Sequence, residues 1–489
     1  MVALANCPQL TTPCAVYFIG IGGIGMSALA RYYKHEGMFV AGYDRTPSPL
    51  TEALEREGID IHYEDNINLI SPEFLPDNNK YSTNDILVIY TPAVPESHSE
   101  WQFFKQHGYQ LIKRSAALGY IAAGKITLAV AGTHGKTTTT TLLAHVLKQT
   151  SNGCTAFLGG ISKNYNSNLL LSASPALVAE ADEFDRSFLQ LFPHVAVITA
   201  TDADHLDIYG THKAVKDAFS AFAAQVKPNG VLILKQGVEL PLSGEWESDA
   251  HTVYRYALRE KCDFYASDIR RLDSGLTQFD IHLPDGVIND CVLGIPGLIN
   301  VENAIAAVAA AWAYERLTGN DKKITGKGSS LKDALASFAG VQRRFDVQVN
   351  TPACTYIDDY AHHPEELRAA ITSLREIYPE RKITGVFQPH LYTRTRDFAE
   401  GFAASLDLLD RLILLDIYPA RELPINGVSS QIIFDKMTLE NKVLCHKNDL
   451  MNLLEKEPLD VLITFGAGDI DRFVPSITEL LNRRYNDAR

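Results

Sequence analysis

Short apolar runs, each followed by a glycine-rich or acidic turn, recur along the first part of the chain. Val16–Ile19 is apolar throughout and leads into glycines and then a helical stretch. The next run, Met38–Tyr43, ends at Asp44, and a further run covers Ile86–Tyr90. A strand, a glycine turn and a helix in this order predict a Rossmann-like βαβ beginning. The pattern fades near Gly124, where we place the end of the first domain.

The same order of strand, turn and helix restarts in the middle of the chain. Leu128–Ala131 is an apolar run, and two further runs lie at Ala176–Ala179 and Val195–Thr199. The second of these three ends at Glu180, and the third leads into an acidic stretch, residues 202–207. Because the carboxyl ends of parallel strands meet at one edge of a sheet, we expect the side chains after these runs to converge there.

The pattern then changes to shorter, alternating strands. Turn sequences at Asp273–Gly275 and Pro284–Gly286 separate these strands and predict an antiparallel meander. A helix that opens near Asn300 closes the segment. Residues 322–330, rich in Lys, Gly and Ser, are predicted to form a surface loop.

From about residue 340, apolar runs again alternate with helical stretches. The runs are Thr355–Ile357, Ile383–Phe387, Leu412–Leu415 and Val461–Ile463. A chain of 489 residues is too long for one core, since single cores rarely extend beyond roughly 250 to 300 residues. We therefore predict an α/β protein of three domains. These are a Rossmann-like domain over residues 1–124, a central α/β domain with a small antiparallel sheet over 125–338, and a C-terminal Rossmann-like α/β domain over 339–489.

Composition narrows the class of protein. A net charge of −14 argues against nucleic acid or an anionic membrane as a partner, because a broadly acidic surface repels both. No Lys or Arg precedes Arg31 and no apolar run approaches about 18 residues, so we predict neither a secretory signal nor membrane insertion. Seven cysteines without CxxC spacing indicate reduced thiols rather than disulfides or structural zinc. We predict a cytoplasmic protein.

The central segment opens with a candidate phosphate loop. After Ala131 the chain reads Gly-Thr-His-Gly-Lys-Thr-Thr and then becomes helical. Backbone N–H groups freed by glycines, with the positive end of a helix, cradle nucleotide phosphates. Lys136 is suited to neutralise the β and γ oxygens, and Thr137 offers a hydroxyl to Mg²⁺. The loop is shorter than the general P-loop, because Val130 stands where that motif has its first glycine. A strand-to-helix turn with an incidental lysine is the alternative.

Two acidic strand ends are candidate metal sites. Mg²⁺ prefers oxygen ligands and bridges phosphate oxygens in ATP chemistry. Thr137 and Glu180 fit one such site, since an acid that closes a buried strand is costly to hold without a partner. His205 lies among aspartates and is a candidate for a second site, with an ordinary surface or core histidine as the alternative. We expect Lys136, Glu180 and His205 to meet.

The first glycine loop has a second kind of phosphate-binding pattern. Gly20, Gly22 and Gly25 form a G-x-G-x-x-G sequence, and Asp44 lies 19 positions (44 minus 25) beyond Gly25. In Rossmann folds this pattern binds a pyrophosphate. Alone it leaves open an NAD(P)-dependent oxidoreductase.

The C-terminal segment adds three polar clusters. Asp358–Pro364 and Gln388–Arg396 both follow apolar runs and hold more polar groups than stability requires. Gln342–Phe345 contains Arg343 and Arg344 near a predicted domain junction, where an arginine can be aimed at phosphates. A solvated arginine pair is the alternative.

Together these motifs closely resemble those of the Mur ligases of bacterial peptidoglycan synthesis, above all the members that act on UDP-N-acetylmuramate and L-alanine. The resemblance covers nearly the whole chain. Its motifs are Gly20–Ser27, Gly132–Thr138, Ala179–Asp185, Asp204–Tyr209, Gly340–Phe345, Asp358–Pro364, Gln388–Asp397, Tyr418–Ser429 and Gly466–Ile470.

The resemblance implies a first domain that holds a UDP-sugar rather than NAD, a central ATPase domain, and a C-terminal domain that brings the amino acid. It implies a cytoplasmic ligase of cell-wall synthesis that uses ATP and Mg²⁺. The lactoyl carboxylate of the sugar attacks the γ-phosphate, and the alanine amine then attacks the acyl phosphate. The product would be UDP-N-acetylmuramoyl-L-alanine.

The resemblance also implies roles for individual residues. Lys136, His205, Arg344 and His362 would act in catalysis, and Thr137 and Glu180 would bind one Mg²⁺ with His205 at the second. The ATP site would comprise Gly132, Thr133, His134, Gly135, Lys136, Thr137, Thr138, Asn300, Asn303, Arg344, Asp358 and Asp359. The UDP-sugar site would comprise Gly20, Gly22, Gly23, Ile24, Gly25, Asp44 and Arg114. His390 and Arg394 would face the incoming L-alanine.

The chain departs from the family pattern at three places. Ile299 stands where the family usually has a histidine beside the adenine-binding asparagine. Ala200-Thr201-Asp202 replaces the usual Asn-Ile-Glu, and Leu391 stands where some members have an arginine. The last change removes one possible cation for the alanine carboxylate.

Other functions remain open from the sequence. A recycling ligase that joins a ready-made tripeptide to the same sugar shares two of the motifs, but it typically lacks the YPARE sequence found at residues 418–422. An NAD(P)-dependent oxidoreductase and a non-enzymatic nucleotide-binding regulator are the alternatives from other classes. We predict a monomer or a homodimer.

Overall fold

The structure is a computed structural model that describes residues 13–78, 80–150, 153–202, 206–242, 251–319, 329–420 and 422–485. Within these residues the strands form three sheets. The chain divides into two compact units. Unit 1 comprises Met1–Tyr265, His282–Gly286 and Ile305–Ala334, and unit 2 comprises Ala266–Ile281, Val287–Ala304 and Leu335–Arg489.

The first sheet has five parallel strands. They are β1 (Ala15–Ile19), β2 (Phe39–Tyr43), β3 (Asp60–His62), β4 (Ile86–Tyr90) and β5 (Gln110–Lys113), in the order β3-β2-β1-β4-β5. Four helices accompany them: α1 (Ile24–His35), α2 (Pro49–Arg56), α3 (Ser99–Gln106) and α4 (Arg114–Ala123). β1 is buried at every position, as expected for a central parallel strand covered on both faces. The Rossmann-like beginning is thus confirmed.

The second sheet has ten strands in the order β15-β14-β13-β12-β11-β10-β6-β9-β7-β8. The strands are β6 (Ile126–Ala131), β7 (Thr155–Ser162), β8 (Ser167–Leu170), β9 (Ala176–Glu180), β10 (Val195–Ile198), β11 (Val231–Lys235), β12 (Thr252–Ala257), β13 (Phe264–Arg271), β14 (Thr277–Leu283) and β15 (Gly286–Leu293). The helices are α5 (Lys136–Thr150), α6 (Leu206–Tyr209), α7 (His212–Ala223), α8 (Leu298–Leu317) and α9 (Ser329–Ser337). The predicted turns at Asp273–Gly275 and Pro284–Gly286 fall between β13, β14 and β15. Most of the predicted loop at 322–330 lies outside the described residues, and α9 begins at Ser329.

The third sheet has six strands in the order β16-β17-β21-β18-β19-β20, and only its edge strand β16 pairs antiparallel. The strands are β16 (Asp346–Asn350), β17 (Thr355–Asp359), β18 (Ile383–Phe387), β19 (Arg411–Leu415), β20 (Lys442–Cys445) and β21 (Val461–Phe465). The helices are α10 (Pro364–Ile377), α11 (Tyr392–Asp397), α12 (Ala399–Leu406), α13 (Gln431–Phe434), α14 (Leu450–Lys456) and α15 (Val474–Tyr485). Each sheet falls within one of the three predicted segments, while the segment boundaries themselves stay predictions.

The first two sheets share one apolar core within unit 1. Phe18 and Leu29 of the first sheet's layer belong to the same buried cluster as Phe157 and Leu169 of the second. The rings of Tyr32 on α1 and Phe157 on β7 lie 5.6 Å apart. Because packed cores resist deformation, the loops that follow β1 and β6 are held in a fixed relation to each other.

The threonine run in α5 is compatible with a helix because its hydroxyls bond back to the preceding turn. Thr140 Oγ1 donates to the Lys136 carbonyl at 2.8 Å, and Thr141 Oγ1 donates to the Thr137 carbonyl at 2.7 Å. Within the residues that the structure describes, no helix is both long and apolar enough to cross a membrane.

A buried polar cluster lies beneath the first sheet. The Tyr17 hydroxyl donates to Glu100 Oε2 at 2.9 Å and lies 2.9 Å from His62 Nε2. Glu100 is fully buried, and burial raises the pKa of its carboxyl from 4.5 to about 8, with the charge of Asp65 acting in the same direction. The folded protein therefore holds a proton that the unfolded chain releases.

We expect this proton to make stability depend on pH. A pKa raised by folding contributes stability at acid pH that is lost as the pH rises through about 8. Glu100→Gln keeps the side-chain shape but cannot ionise, so the free energy of unfolding of the variant minus that of the wild type should increase between about pH 5 and about pH 9. The increase should be on the order of a few kcal/mol, because each tenfold change in proton affinity corresponds to about 1.4 kcal/mol. Denaturant titrations of both proteins at several pH values measure it, and a difference that does not change with pH contradicts the assignment.

Candidate active site

The phosphate loop connects β6 to α5. Gly132 has φ of +135°, and a Cβ there would lie 2.1 Å from Thr199 Oγ1 at the end of β10. Only glycine fits such a backbone and such a close approach. Thr133 Oγ1 lies 3.3 Å from Asp202 Oδ2, and His134 Nε2 lies 3.6 Å from the same oxygen. The loop is thus fixed against the neighbouring strand end.

Lys136 begins α5 and is held by two acceptors. Its Nζ donates to the Gly132 carbonyl at 2.7 Å and to Glu183 Oε1 at 2.8 Å. Burial alone would lower the pKa of Lys136, but the carboxylates of Glu183, Glu180 and Asp182 raise it above its usual range. The lysine is therefore a permanent cation at the start of the helix.

Glu183 is a site residue that the sequence analysis did not single out. Only 1% of its side chain is exposed, and burial raises the pKa of its carboxyl although Lys136 opposes the shift. The sequence could have indicated this residue, because Glu183 is the third acid of the stretch Glu180-Ala-Asp-Glu183. Directly after it, Asp185 and Arg186 both adopt positive φ, which is costly for residues with a Cβ.

Glu180 closes β9, and β9 pairs in parallel with β6 in a register that sets Val130 opposite Glu180. The carboxylate lies against Gly159, where a Cβ would come within 1.9 Å of Glu180 Oε2. This oxygen is buried and accepts no hydrogen bond from the described residues. A buried carboxylate oxygen is costly unless it has a partner, so a hard cation suits this position.

The residues fit an Mg²⁺ ion that takes only part of its ligands from the protein. Thr137 is buried in the first turn of α5. Among the residues described, no group of three or more His, Cys, Asp or Glu side chains is arranged to hold a metal. Mg²⁺ usually keeps water and phosphate oxygens among its ligands, so it needs few ligands from the protein. One carboxylate and one hydroxyl are enough for such a site. His205, the candidate for a second ion, lies outside the described residues.

The first glycine loop connects β1 to α1. Gly23 is the N-cap of α1 and Ile24 its first residue. The Gly22 N–H donates to Asp44 Oδ2 at 2.7 Å, so the predicted acid at the end of β2 contacts the loop. Arg114, the first residue of α4, donates from Nη2 to Asp182 Oδ2 at 3.1 Å.

A cavity of about 90 Å³ lies between the end of the first glycine loop and the acidic end of β9, within unit 1. It is lined by residues from the glycine-loop helix, from α4 and from the acidic strand end, among them Ile24, Gly25, Arg114, Gly159, Glu180 and Asp182. Residues predicted for a sugar pyrophosphate and a residue predicted for Mg²⁺ thus face one space.

Unit 2 carries the arginine pair in a strained turn. Arg343 and Phe345 have φ of +62° and +46°. Arg343 is tied into the fold, because its Nε lies 3.3 Å from Asp358 Oδ2 and its Nη2 donates to the Gly466 carbonyl at 2.5 Å. Arg344 instead interacts with Asp359, because its charge opposes the rise that burial causes in the pKa of that carboxyl. The two arginines therefore have different surroundings.

Asp358 and Asp359 also differ, and both belong to β17 rather than to the following loop. Asp358 is 1% exposed and accepts from Thr464 Oγ1 at 2.6 Å. Asp359 Oδ2 accepts from the Phe345 N–H at 2.7 Å. Burial raises the pKa of Asp359 to about 6 against the opposing effect of Arg344. Asp359 Oδ1 accepts from the Ala361 N–H at 2.8 Å, so both aspartates are hydrogen-bonded within the protein. Of the two predicted ribose ligands, Asp359 is the less buried.

His362, His390 and Arg394 lie near one another in unit 2. The rings of His362 and His390 are 6.0 Å apart, and His390 stacks on Tyr418. Burial lowers the pKa of His362 to about 4, and the charge of Arg394 acts in the same direction. His362 is therefore neutral at pH 7. Arg396 is half exposed and bound to its neighbour Asp397.

The predicted adenine residues are buried at the start of α8. Asn300 Nδ2 donates to the Pro296 carbonyl at 2.7 Å, and Asn303 Nδ2 lies 3.5 Å from Asn300 Oδ1. Ile299, at the position of the family's usual histidine, is 38% exposed.

Comparison with known proteins agrees with this geometry. Family models match residues 15–126 (Mur ligase family, catalytic domain), 130–311 (Mur ligase middle domain) and 343–468 (Mur ligase, glutamate ligase domain). The chain belongs to the Mur ligase family.

Individual relatives narrow the comparison. The chain is 53% identical to the UDP-N-acetylmuramate--L-alanine ligase of Parabacteroides distasonis, over 96% of this chain and 97% of that protein. The crystal structure of the UDP-N-acetylmuramate-alanine ligase of Thermotoga maritima matches with a TM-score of 0.74 and 26% identity, over 97% of this chain and all of that one. A murein peptide ligase from Psychrobacter arcticus matches in fold with a TM-score of 0.67 at 20% identity, over 96% of this chain and 98% of that one.

The buried pair of Lys136 and Glu183 allows a test of the site's charge balance. Lys136→Met keeps most of the side-chain volume but leaves Glu183 buried among carboxylates. We expect a loss of about 3 to 5 kcal/mol in the free energy of unfolding at pH 7, the scale of breaking a buried ion pair. Adding Glu183→Gln should restore part of that loss, because the unpaired charge is then removed. Chemical denaturation of the two variants and the wild type gives the values, and equal stability of all three would show that the pair carries no such constraint.

Proposed function

We propose that this chain joins L-alanine to the lactoyl carboxylate of UDP-N-acetylmuramate with ATP, giving UDP-N-acetylmuramoyl-L-alanine, ADP and phosphate for peptidoglycan synthesis. The observation that carries the proposal is the cavity lined by Ile24, Gly25, Arg114 and Glu180. Glu180 ends β9, which pairs with β6, the strand that leads into the phosphate loop. A nucleotide-sugar site next to a triphosphate site is what this reaction needs. The name of the Parabacteroides distasonis relative supports the same substrates.

In the proposed first step, the lactoyl carboxylate attacks the γ-phosphate of ATP. Lys136 donates to the oxygens of the phosphoryl group and stabilises the charge that develops there. Its raised pKa keeps this group protonated across the physiological range. Gly132 to Thr138 wrap the phosphates with backbone N–H groups. Arg344 would add a second cation, as the resemblance to the family implies.

Thr137 and Glu180 would hold Mg²⁺, and His205 would hold a second ion. A metal held there would supply neutralising charge for the phosphate oxygens. Glu180 Oε2 supports the assignment, because it lacks a hydrogen-bond donor among the described residues. Asn300 and Asn303 would meet the adenine. Asp359 rather than Asp358 would meet the ribose, because Asp358 is only 1% exposed and Asp359 is the less buried of the two.

The UDP-sugar would bind at the start of α1. Its pyrophosphate would lie against the loop Gly20–Gly25 and accept from N–H groups at the start of α1, because those of Gly20, Ile21 and Gly22 already donate to Tyr43 and Asp44. Asp44 would receive hydroxyl groups of the ribose. Arg114 is placed at the same cavity and would offer a cation to the carboxylate or the pyrophosphate.

In the proposed second step, the alanine amine attacks the acyl phosphate. Arg394 would bind the alanine carboxylate, and His390 would orient the amine. His362 is neutral because of its burial, so its imidazole can accept a hydrogen bond or a proton near the reacting carboxylate. The enzyme would act in the cytoplasm, where ATP is available.

The alternatives are less well supported. The murein peptide ligase from Psychrobacter arcticus matches at 20% identity, a likeness of fold alone. An NAD(P)-dependent oxidoreductase has no use for the phosphate loop with Lys136, and a regulator has none for a candidate Mg²⁺ carboxylate that faces the UDP-sugar loop.

A phosphate-release assay tests the function. We expect release only when ATP, UDP-N-acetylmuramate and L-alanine are all present, and loss of release when Mg²⁺ is removed with a chelator. Lys136→Ala should lower kcat by about a hundredfold or more, since it removes a cation used in the transition state. Release that is independent of L-alanine but dependent on a tripeptide would select the recycling ligase instead.

Recognition of the amino acid can be tested at Arg394. The carboxylate of L-alanine loses water on binding and needs a cation. Leu391 cannot supply one. Arg394→Ala should raise the KM for L-alanine by roughly tenfold to a hundredfold, the scale of a lost charge-assisted hydrogen bond. The KM values for ATP and UDP-N-acetylmuramate should stay near those of the wild type. Arg396→Ala is the matched control, because Arg396 is bound to Asp397 instead, and a larger effect there would move the assignment.

A further inference from the structure

Asn168 is a buried polar residue with no role in the site described so far. It lies on β8, the edge strand of the second sheet, and its side chain is fully buried. A buried amide is costly unless its donors and acceptor are all used. Its partners therefore indicate what it does.

All of these partners belong to α1, the helix that follows the first glycine loop. Asn168 Nδ2 donates to the Ile24 carbonyl at 2.6 Å and lies 2.9 Å from Ser27 Oγ. Asn168 Oδ1 accepts from Arg31 Nη1 at 2.5 Å. Ser27 Oγ itself donates to the Ile24 carbonyl at 3.0 Å. One side chain of the second sheet thus fixes the first turn of α1.

A neighbouring ion pair fixes the orientation of the amide. Arg31 bonds to Glu57 at 2.8 Å through Nη2 and reaches Asn168 through Nη1. The guanidinium can only donate, so it sets the amide oxygen toward Arg31 and the amide nitrogen toward Ile24. The contact therefore has one arrangement rather than two.

The packing of α1 against the second sheet depends on separate, apolar contacts. Tyr32 packs on Phe157, and Leu29 and Leu169 lie in the shared core. Apolar contacts have little directional preference, whereas hydrogen bonds to the first turn fix the rotation and height of the helix. Asn168 therefore fixes the orientation of α1 more than it holds the helix to the second sheet.

We propose that Asn168 is a positioning residue for the UDP-sugar site, because it aligns the start of α1 with the pyrophosphate from the opposite sheet. The inference rests on the proposed function, in which N–H groups at this helix start bind the pyrophosphate. Such a site loses affinity when its donors are displaced by a fraction of an ångström to an ångström. Asn168 touches no substrate and acts through α1.

The decisive variant is Asn168→Asp, which keeps the shape but replaces the two N–H donors with an oxygen that faces the Ile24 carbonyl. We expect the Kd for UDP-N-acetylmuramate, measured by calorimetry without ATP, to rise by about tenfold, the scale of a lost buried hydrogen bond. The KM for UDP-N-acetylmuramate should rise in parallel. The KM values for ATP and L-alanine should change by less than about twofold.

Two further variants separate positioning from stability. Ser27→Ala removes one acceptor without adding charge and should weaken UDP-sugar binding less, in the same direction, so it carries the test if Asn168→Asp does not fold. Tyr32→Leu loosens the apolar contact of the same helix with the same sheet. It should lower the melting temperature while keeping the Kd of the wild type.

The outcomes distinguish this inference from the proposed function. A wild-type protein that binds no UDP-N-acetylmuramate overturns both. Wild-type binding with unchanged Kd in Asn168→Asp and Ser27→Ala overturns the role of Asn168 alone. An equal loss of binding in Tyr32→Leu also overturns it, because the residue would then act only through the stability of the junction.

Discussion

The shared apolar core of the first two sheets is the constraint on which the rest of unit 1 depends. Phe18 and Leu29 pack in the same buried cluster as Phe157 and Leu169. Because this core is continuous, the glycine loop after β1 and the phosphate loop after β6 cannot move independently. Chemistry between a sugar carboxylate and a triphosphate needs such fixed separation, since misplacement of reacting groups is costly in rate. Polar contacts across the core, such as those of Asn168, then set orientation.

Charge balance is the second constraint, and it explains why acids surround a site for anions. Glu180, Asp182 and Glu183 lie around Lys136, and Asp182 also binds Arg114. Two buried or half-buried cations are costly to hold without partners, and the carboxylates offset that cost. When phosphates arrive, the same carboxylates repel them unless a metal lies between. On the proposed function, the acidic strand end therefore favours the Mg²⁺ complex of the nucleotide over the free triphosphate.

Much of the fold was predictable from the sequence because its central strands are uniformly apolar. β1, β4, β6, β18 and β21 were found from apolar runs, and the three-domain α/β class was confirmed. The edge strands β3 and β20 were not, because they are short and partly polar. The hairpin β7–β8 was also missed, although its residue Asn168 anchors the first helix. The contact between Asn168 and Ser27 joins residues 141 positions apart, and local periodicity cannot predict such a contact.

The sequence predicted which residues belong to the site, but not how neighbouring residues of the same type differ in their surroundings. Motifs identified Lys136, Glu180, Arg344 and His362, and their proposed roles stay predictions. The sequence could not separate Asp358 from Asp359, or Arg343 from Arg344, because neighbours in sequence differ only in which way the backbone turns them. Strand β17 sends Asp358 into the interior and leaves Asp359 beside the turn. The positive φ at Arg343 and Phe345 produces the corresponding split in the arginine pair. Backbone geometry therefore distinguishes the two members of each pair, and burial determines which of them a substrate can reach.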